Sequence, residues 1–323
     1  MPERSAGTRS GVPARPGAAP PRGGPARRRA LARRGGGAIA LALVAGLALA
    51  GCSGYAAGST VPAFDAGASA SPGVTGTASG TPTTPARGSL DEFDGPAGSQ
   101  PDAARWTQQT GAGGWGNSEL QTYSDTNAVL DGHGHLAITA TVGPGGGAPY
   151  ESGRITTKGK QSFGYGTVSA RIKFPDGGSL LPSFWMLGSD VDTVGWPRCG
   201  EIDVVEAPID THRTTHYVHG PRVGSPDTNV QAGNVVIHDE PVSDAFHIYS
   251  VTRSPGHVVI SVDGVVATDL TPDTSPADLK WVFDGQFDIV LSMAIGGSTP
   301  APTASSPRTS TMLVDWIRSA PAS

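Results

Sequence analysis

The 323 residues suit one large domain or two ordinary ones, and two cysteines leave almost no scope for disulfides. Nine of the 23 Lys and Arg, but one of the 28 Asp and Glu, fall in residues 1–51, so the remainder carries 14 basic and 27 acidic residues, a net charge of −13. That balance argues against nucleic acid and other anionic polymers as ligands, whose charges would be repelled, and leaves a neutral polymer open. The chain starts with an arginine-rich stretch (Arg27, Arg28, Arg29, Arg33, Arg34) and the apolar run from Ala38 to Ala50, with no acidic residue after Glu3. A basic region before a short apolar core reads as a secretory signal peptide over residues 1–51. The core falls short of the roughly 20 apolar residues that span a bilayer.

The run ends in Leu49-Ala50-Gly51-Cys52, which resembles the bacterial lipobox. Cys52 is then the lipidation site, and the protein is expected on the extracellular face of the cell membrane, or secreted if the lipobox is unused. Arg33-Arg34 leaves twin-arginine and Sec export both open. With Cys52 acylated, Cys199 stands alone and no intramolecular disulfide is available. Residues 52–88 are almost wholly Ser, Thr, Gly, Ala and Pro, a composition too poor in apolar surface to order itself, and read as a flexible tether.

Residues 89–323 show strand signals and little helical periodicity. Leu136 to Thr141 reads as a strand, and Thr167 to Phe174 alternates, with Val168, Ala170, Ile172 and Phe174 on one face. Phe246 to Thr252, Phe287 to Ile295 and Met312 to Arg318 are further strands. Val258 to Val262 and Val265 to Ala267 flank Asp263-Gly264, a hairpin with a type I′ turn. Many short strands between Gly- and Pro-rich turns give one all-β sandwich or barrel.

The chemistry-bearing segment is Gly200-Glu201-Ile202-Asp203-Val204-Val205-Glu206. Its β-branched residues favour a strand, which puts Glu201 and Asp203 on one face. Glu206, three residues beyond Asp203, turns to the other face unless a β-bulge at Val204 or Val205 returns it. Retaining glycosidases use two carboxyl groups roughly 5–5.5 Å apart, and a third between them can keep the acid's pKa raised. An exposed acidic strand edge or a calcium site would gather the same residues.

Other segments bear on that choice: Asp91-Glu92-Phe93-Asp94-Gly95, Gly114-Trp115-Gly116-Asn117-Ser118-Glu119-Leu120-Gln121, Ser152-Gly153-Arg154-Ile155-Thr156-Thr157-Lys158-Gly159, Pro182-Ser183-Phe184-Trp185-Met186-Leu187-Gly188, Gly195-Trp196-Pro197 and Val218-His219-Gly220-Pro221. In this order they resemble family 16 of the glycoside hydrolases, the laminarinase and lichenase group. The resemblance implies a jelly-roll sandwich of two antiparallel sheets with a cleft across the concave face. It also implies a retaining endo-β-glucanase acting on a neutral β-glucan, with the bulged spacing favouring β-1,3-glucan.

Carried over, Glu201 is the nucleophile, Glu206 the acid/base and Asp203 the nucleophile's partner. Trp115, Asn117, Arg154, Trp185 and Trp196 would line the non-reducing subsites. Indole faces suit the apolar face of a pyranose, and Asn and Arg suit its hydroxyls. Trp185 follows Phe184 in a strand, so one of the two faces the core. His219, or His216 instead, would contact sugar beyond the cut, with a surface strand histidine as the other reading of His216. Catalysis needs no cofactor; the resemblance implies a structural calcium ion at Glu92, the Gly134 carbonyl and Asp315. The protein is expected to be a monomer. Cys199 reads as a small buried thiol. The chain departs from the family pattern at Thr252-Arg253, Ile260-Ser261, Ser292 and Ser298-Thr299-Pro300, which bears on the substrate. A transglycosylase, an agarase- or carrageenase-like enzyme and a non-catalytic glycan-binding jelly roll are the competing functions; sulfated carrageenan fits the negative charge badly.

Overall fold

The computed structural model describes residues 89–113, 115–208 and 210–322. The leader, the tether and Cys52 lie outside the described residues. In chain order the strands are β1 (Ser89–Asp91), β2 (Thr107–Gln108), β3 (Gly111–Ala112), β4 (Thr122–Tyr123), β5 (Ala128–Leu130), β6 (Leu136–Val142), β7 (Tyr150–Ser152), β8 (Arg154–Thr156) and β9 (Gly166–Lys173). Then follow β10 (Leu180–Gly188), a single helical turn α1 (Val191–Val194), β11 (Glu201–Glu206), β12 (Arg213–Arg222), β13 (Ser225–Ile237), β14 (His247–Ser254), β15 (His257–Val262), β16 (Val265–Leu270), β17 (Phe287–Ile295) and β18 (Thr309–Pro321).

They form two sheets. One has seven strands in the order β13-β12-β11-β10-β17-β8-β2. The other has eleven, with the path β16-β15-β14-β9-β18-β6-β7-β4-β3 and with β1 on β18 and β5 on β6. Among the described residues all pairings are antiparallel except β4 with β7. Alternation supplies the core: Leu136, Ile138 and Ala140 from β6 and Val168, Ala170 and Ile172 from β9 meet Phe184, Met186, Ile202, Val218, Ile289 and Leu291 from the seven-stranded sheet. Each fully buried Leu, Ile or Phe stabilises the fold by about 1.5–3 kcal/mol, so this one cluster sets how the sheets stack.

Two strands depart from simple alternation. Ser169 on β9 is fully buried although it lies on the polar face, because Ser250 Oγ donates to its hydroxyl across the β14 ladder at 2.8 Å. All nine residues of β17 are buried. Phe287, Ile289, Leu291, Met293 and Ile295 enter the core, while the alternate set includes Asp288, which accepts hydroxyl protons from Ser162 at 2.6 Å and Ser189 at 2.7 Å. At the hairpin, Asp263 and Gly264 have φ of +49° and +81°, the left-handed pair that a type I′ turn requires, and Val262 stands opposite Val265.

Candidate active site

The site grows from one irregularity in β11. Against β10, Asp203 pairs with Trp185 and Val205 with Phe184, so Val204 is an extra residue. Against β12 the register also slips by one between Asp203, opposite Tyr217, and Glu206, opposite Thr215. Val204 and Val205 are both fully buried, and the bulge returns Glu206 to the face that carries Glu201 and Asp203. Cross-strand rows then fix the neighbours. Leu187–Glu201–His219 is one row and Val290–Trp185–Asp203–Tyr217 the next. The third is Arg154–Ser292–Ser183–Glu206–Thr215.

Each carboxyl group has its own partner. Trp196 Nε1 donates to Glu201 Oε2 at 2.7 Å, His219 Nε2 lies 3.0 Å from Asp203 Oδ2, and Thr215 Oγ1 donates to Glu206 Oε2 at 3.1 Å. Glu201, Asp203 and His219 each bring a polar atom within 4.8 Å of the others. Burial, and next the charge of Asp203, push the Glu201 and Glu206 carboxyls up to about 8, against the pull of His219 and of their hydrogen-bond donors. A carboxyl so raised keeps its proton at neutral pH, as the general acid of the pair requires.

Burial alone would lower His219; its bond to Asp203 and the three surrounding carboxyl charges outweigh that and raise it to about 9. Asn229 Nδ2 lies 2.9 Å from His219 Nδ1, while Asn229 Oδ1 is buried without a partner. Exchanging the two ends of that amide turns its oxygen to the His219 ring nitrogen as an acceptor. The imidazolium then donates at each nitrogen.

The remaining residues singled out from the sequence spread along this face. Phe184 is in the core and Trp185 points the other way, its Nε1 donating to Ser292 Oγ at 3.1 Å. The Arg154 guanidinium lies 4.7 Å from the Trp185 ring centroid and 5.0 Å from that of Trp115, and its Nε donates to Gln109 Oε1 at 2.6 Å. Asn117 is exposed on a turn with φ of +47°, its carbonyl close against Gly297. Sequence reasoning missed Thr215, Tyr217 and Asn229. Counting back in twos from His219 gives the first two; Asn229 comes from β13 and needs the register.

His216 is neither a surface histidine nor on the face that carries Glu201 and Asp203. It is fully buried behind the sheet, and burial lowers it to about 4, so it is neutral. Cys199 is buried, and burial first, then the nearby Glu201 charge, push its thiol up to about 12, which leaves it unreactive. Arg318 forks onto Glu92 at 2.8 and 2.7 Å, and Arg171 meets Asp315 at 2.5 Å. Each carboxylate of the expected calcium set thus faces a guanidinium, a pairing that fits arginine rather than a divalent cation in this arrangement.

Residues 115–318 match the family model of glycosyl hydrolases family 16. The chain belongs to that family. As a family 16 glycoside hydrolase it is 33% identical over 247 residues to a β-glucanase of Rhodothermus marinus, covering 71% of this chain and 82% of that one. It is 32% identical over 274 residues to the glucan endo-1,3-β-glucosidase A1 of Niallia circulans, covering 74% of this chain and 39% of that protein. Its fold matches the laminarinase catalytic domain of Thermotoga maritima with a TM-score of 0.63 and 34% identity, over 72% of this chain and 96% of the other. The two-sheet sandwich is the family's jelly roll.

Proposed function

We propose that this family 16 enzyme is a retaining endo-β-glucanase whose preferred substrate is β-1,3-glucan. The observation that carries the reading is the Val204 bulge, which sets Glu206 on the same face as Glu201 and Asp203. Glu201, held by the Trp196 indole N–H, attacks the anomeric carbon and forms a glycosyl-enzyme. Glu206 gives its proton to the departing glucosyl oxygen, then takes one from the water that releases the sugar. Asp203 lies between them, paired with His219, and holds charge density next to the nucleophile. Trp185, Trp115 and Trp196 offer ring faces for pyranose stacking, with Arg154 and Asn117 for hydroxyls. The β-1,3 preference is supported by the two glucanases named above for that linkage or for laminarin. The Cys52 lipobox supports anchoring on the outer face of the membrane.

Removing each glutamate separates the roles. Glu206→Ala should fail on laminarin, whose leaving group needs a proton, yet still react with an aryl β-glycoside, and azide should accelerate turnover and give the β-glycosyl azide. Glu201→Ala with azide and an activated donor should give the α-azide. An α-azide from Glu206→Ala reverses the assignment, and partial laminarin activity in both variants refutes it.

A further inference from the structure

The bulge that aims Glu206 is held from behind by a chain of side chains on the opposite face of its sheet. A bulge takes its extra residue out of the ladder. The carbonyl of that residue, Val204, is met by His216 Nδ1 at 2.6 Å. The other ring nitrogen, Nε2, lies 2.8 Å from Thr214 Oγ1, and that hydroxyl lies 2.8 Å from His238 Nε2. His216 and Thr214 are fully buried, while His238 is half-buried and thus reaches toward the surface.

The protons in this chain are fixed by its ends. A carbonyl only accepts, so His216 Nδ1 carries a hydrogen. The ring being neutral, Nε2 is a bare acceptor and takes the hydroxyl proton of Thr214. The lone pair of that hydroxyl is left for the N–H of His238. Every donor has one acceptor, and the run points one way, from His238 to Val204. A further tie joins it to the other sheet: Thr268 Oγ1 donates to the His216 carbonyl at 3.0 Å.

We propose that His216, oriented by His238 through Thr214, is a positioning residue that locks the Val204 bulge and so sets the aim of Glu206 relative to Glu201. This rests on the glucanase reading of those two glutamates. Glu201 and Asp203 precede the bulge and Glu206 follows it, so loosening the bulge moves the proton donor with respect to the nucleophile and leaves the first two in register. The loss should therefore depend on the leaving group, which a general weakening of the fold would not produce.

The test compares laminarin with an activated aryl β-glycoside of a short β-1,3-glucan. His216→Leu should lower kcat/KM on laminarin by about 10²-fold, the scale of a lost general acid. KM should stay near its wild-type value, and kcat/KM on the aryl donor should be nearly unchanged. His216→Asn keeps an N–H donor in the Nδ1 position and should recover most of the laminarin rate. Thr214→Val should fall between them. Nitrogen-15 NMR of the wild-type protein, which needs no substrate, should show His216 as the neutral Nδ1–H tautomer at neutral pH. An Nε2–H tautomer overturns the proposal. So does an equal loss on both substrates, or no loss on either. A wild-type protein inert towards both glucan substrates overturns the glucanase reading itself, and with it the catalytic purpose of the lock.

Discussion

Arg253 shows what a single side chain does where the sequence departs from its family's pattern. It is buried, and its guanidinium donates to the carbonyls of Phe283 at 3.1 Å, Gly285 at 2.9 Å, Gly164 at 2.5 Å and Phe163. The group also lies 4.6 Å from the Phe287 ring centroid. Burial pulls its pKa down to about 10, which leaves it charged at neutral pH. The departure thus concerns two loops tied to β14, not sugar binding. Arg253→Met takes the donor from the Phe283, Gly285 and Gly164 carbonyls, the Phe163 carbonyl keeping the Phe287 N–H, and should cost about 3 kcal/mol in denaturant unfolding. A variant as stable as wild type would show that the loops find other donors. The residue scale also marks where sequence reading stops. Glu201, Asp203 and Glu206 are legible because one short segment carries them. The partners Thr215, Asn229 and His216 come from strands whose register no local pattern encodes, and a histidine in an alternating strand reads equally well on either face.

Among the elements, the bulge was legible because three carboxyls at that spacing share a face only with one extra residue between Asp203 and Glu206. Which valine is extra was not, since Val204 and Val205 are alike in chemistry and both end up buried. The β15–β16 hairpin was legible from Asp263-Gly264, but its electrostatic lock was not. Asp263 Oδ2 lies 2.7 Å from His247 Nδ1, and the backbone N–H of Ile248 donates to Oδ1 at 2.8 Å. Burial raises the carboxyl, yet the His247 ring, that N–H and the nearby His247 and His238 charges outweigh it, so its pKa sits below 3.8. A carboxyl depressed in the folded state stabilises the fold above its unfolded pKa, and loses that contribution as pH falls through the folded value. Asp263→Asn should therefore melt at a lower temperature than wild type near neutral pH, with the gap closing as pH falls below the ordinary aspartate range. A gap that persists unchanged at acid pH would place the effect in turn geometry instead.

At the scale of the whole molecule, alternation and turn chemistry gave the all-β class, and burial of both inner faces in one cluster explains why two sheets stack. The strand order is a different matter. β10 pairs with β17, and β9 with β14 and β18, across long stretches of sequence that only the assembled core selects. That order brings Trp185, Glu201 and His219 onto three neighbouring strands, with Arg154 two strands beyond Trp185 in the same sheet. The central claim is that Glu201 and Glu206 cut a β-glucan by double displacement. Proton NMR of laminarin in the first minutes of hydrolysis tests it most directly. The new reducing ends should appear first as the β-anomer and mutarotate later; first appearance of the α-anomer would refute double displacement.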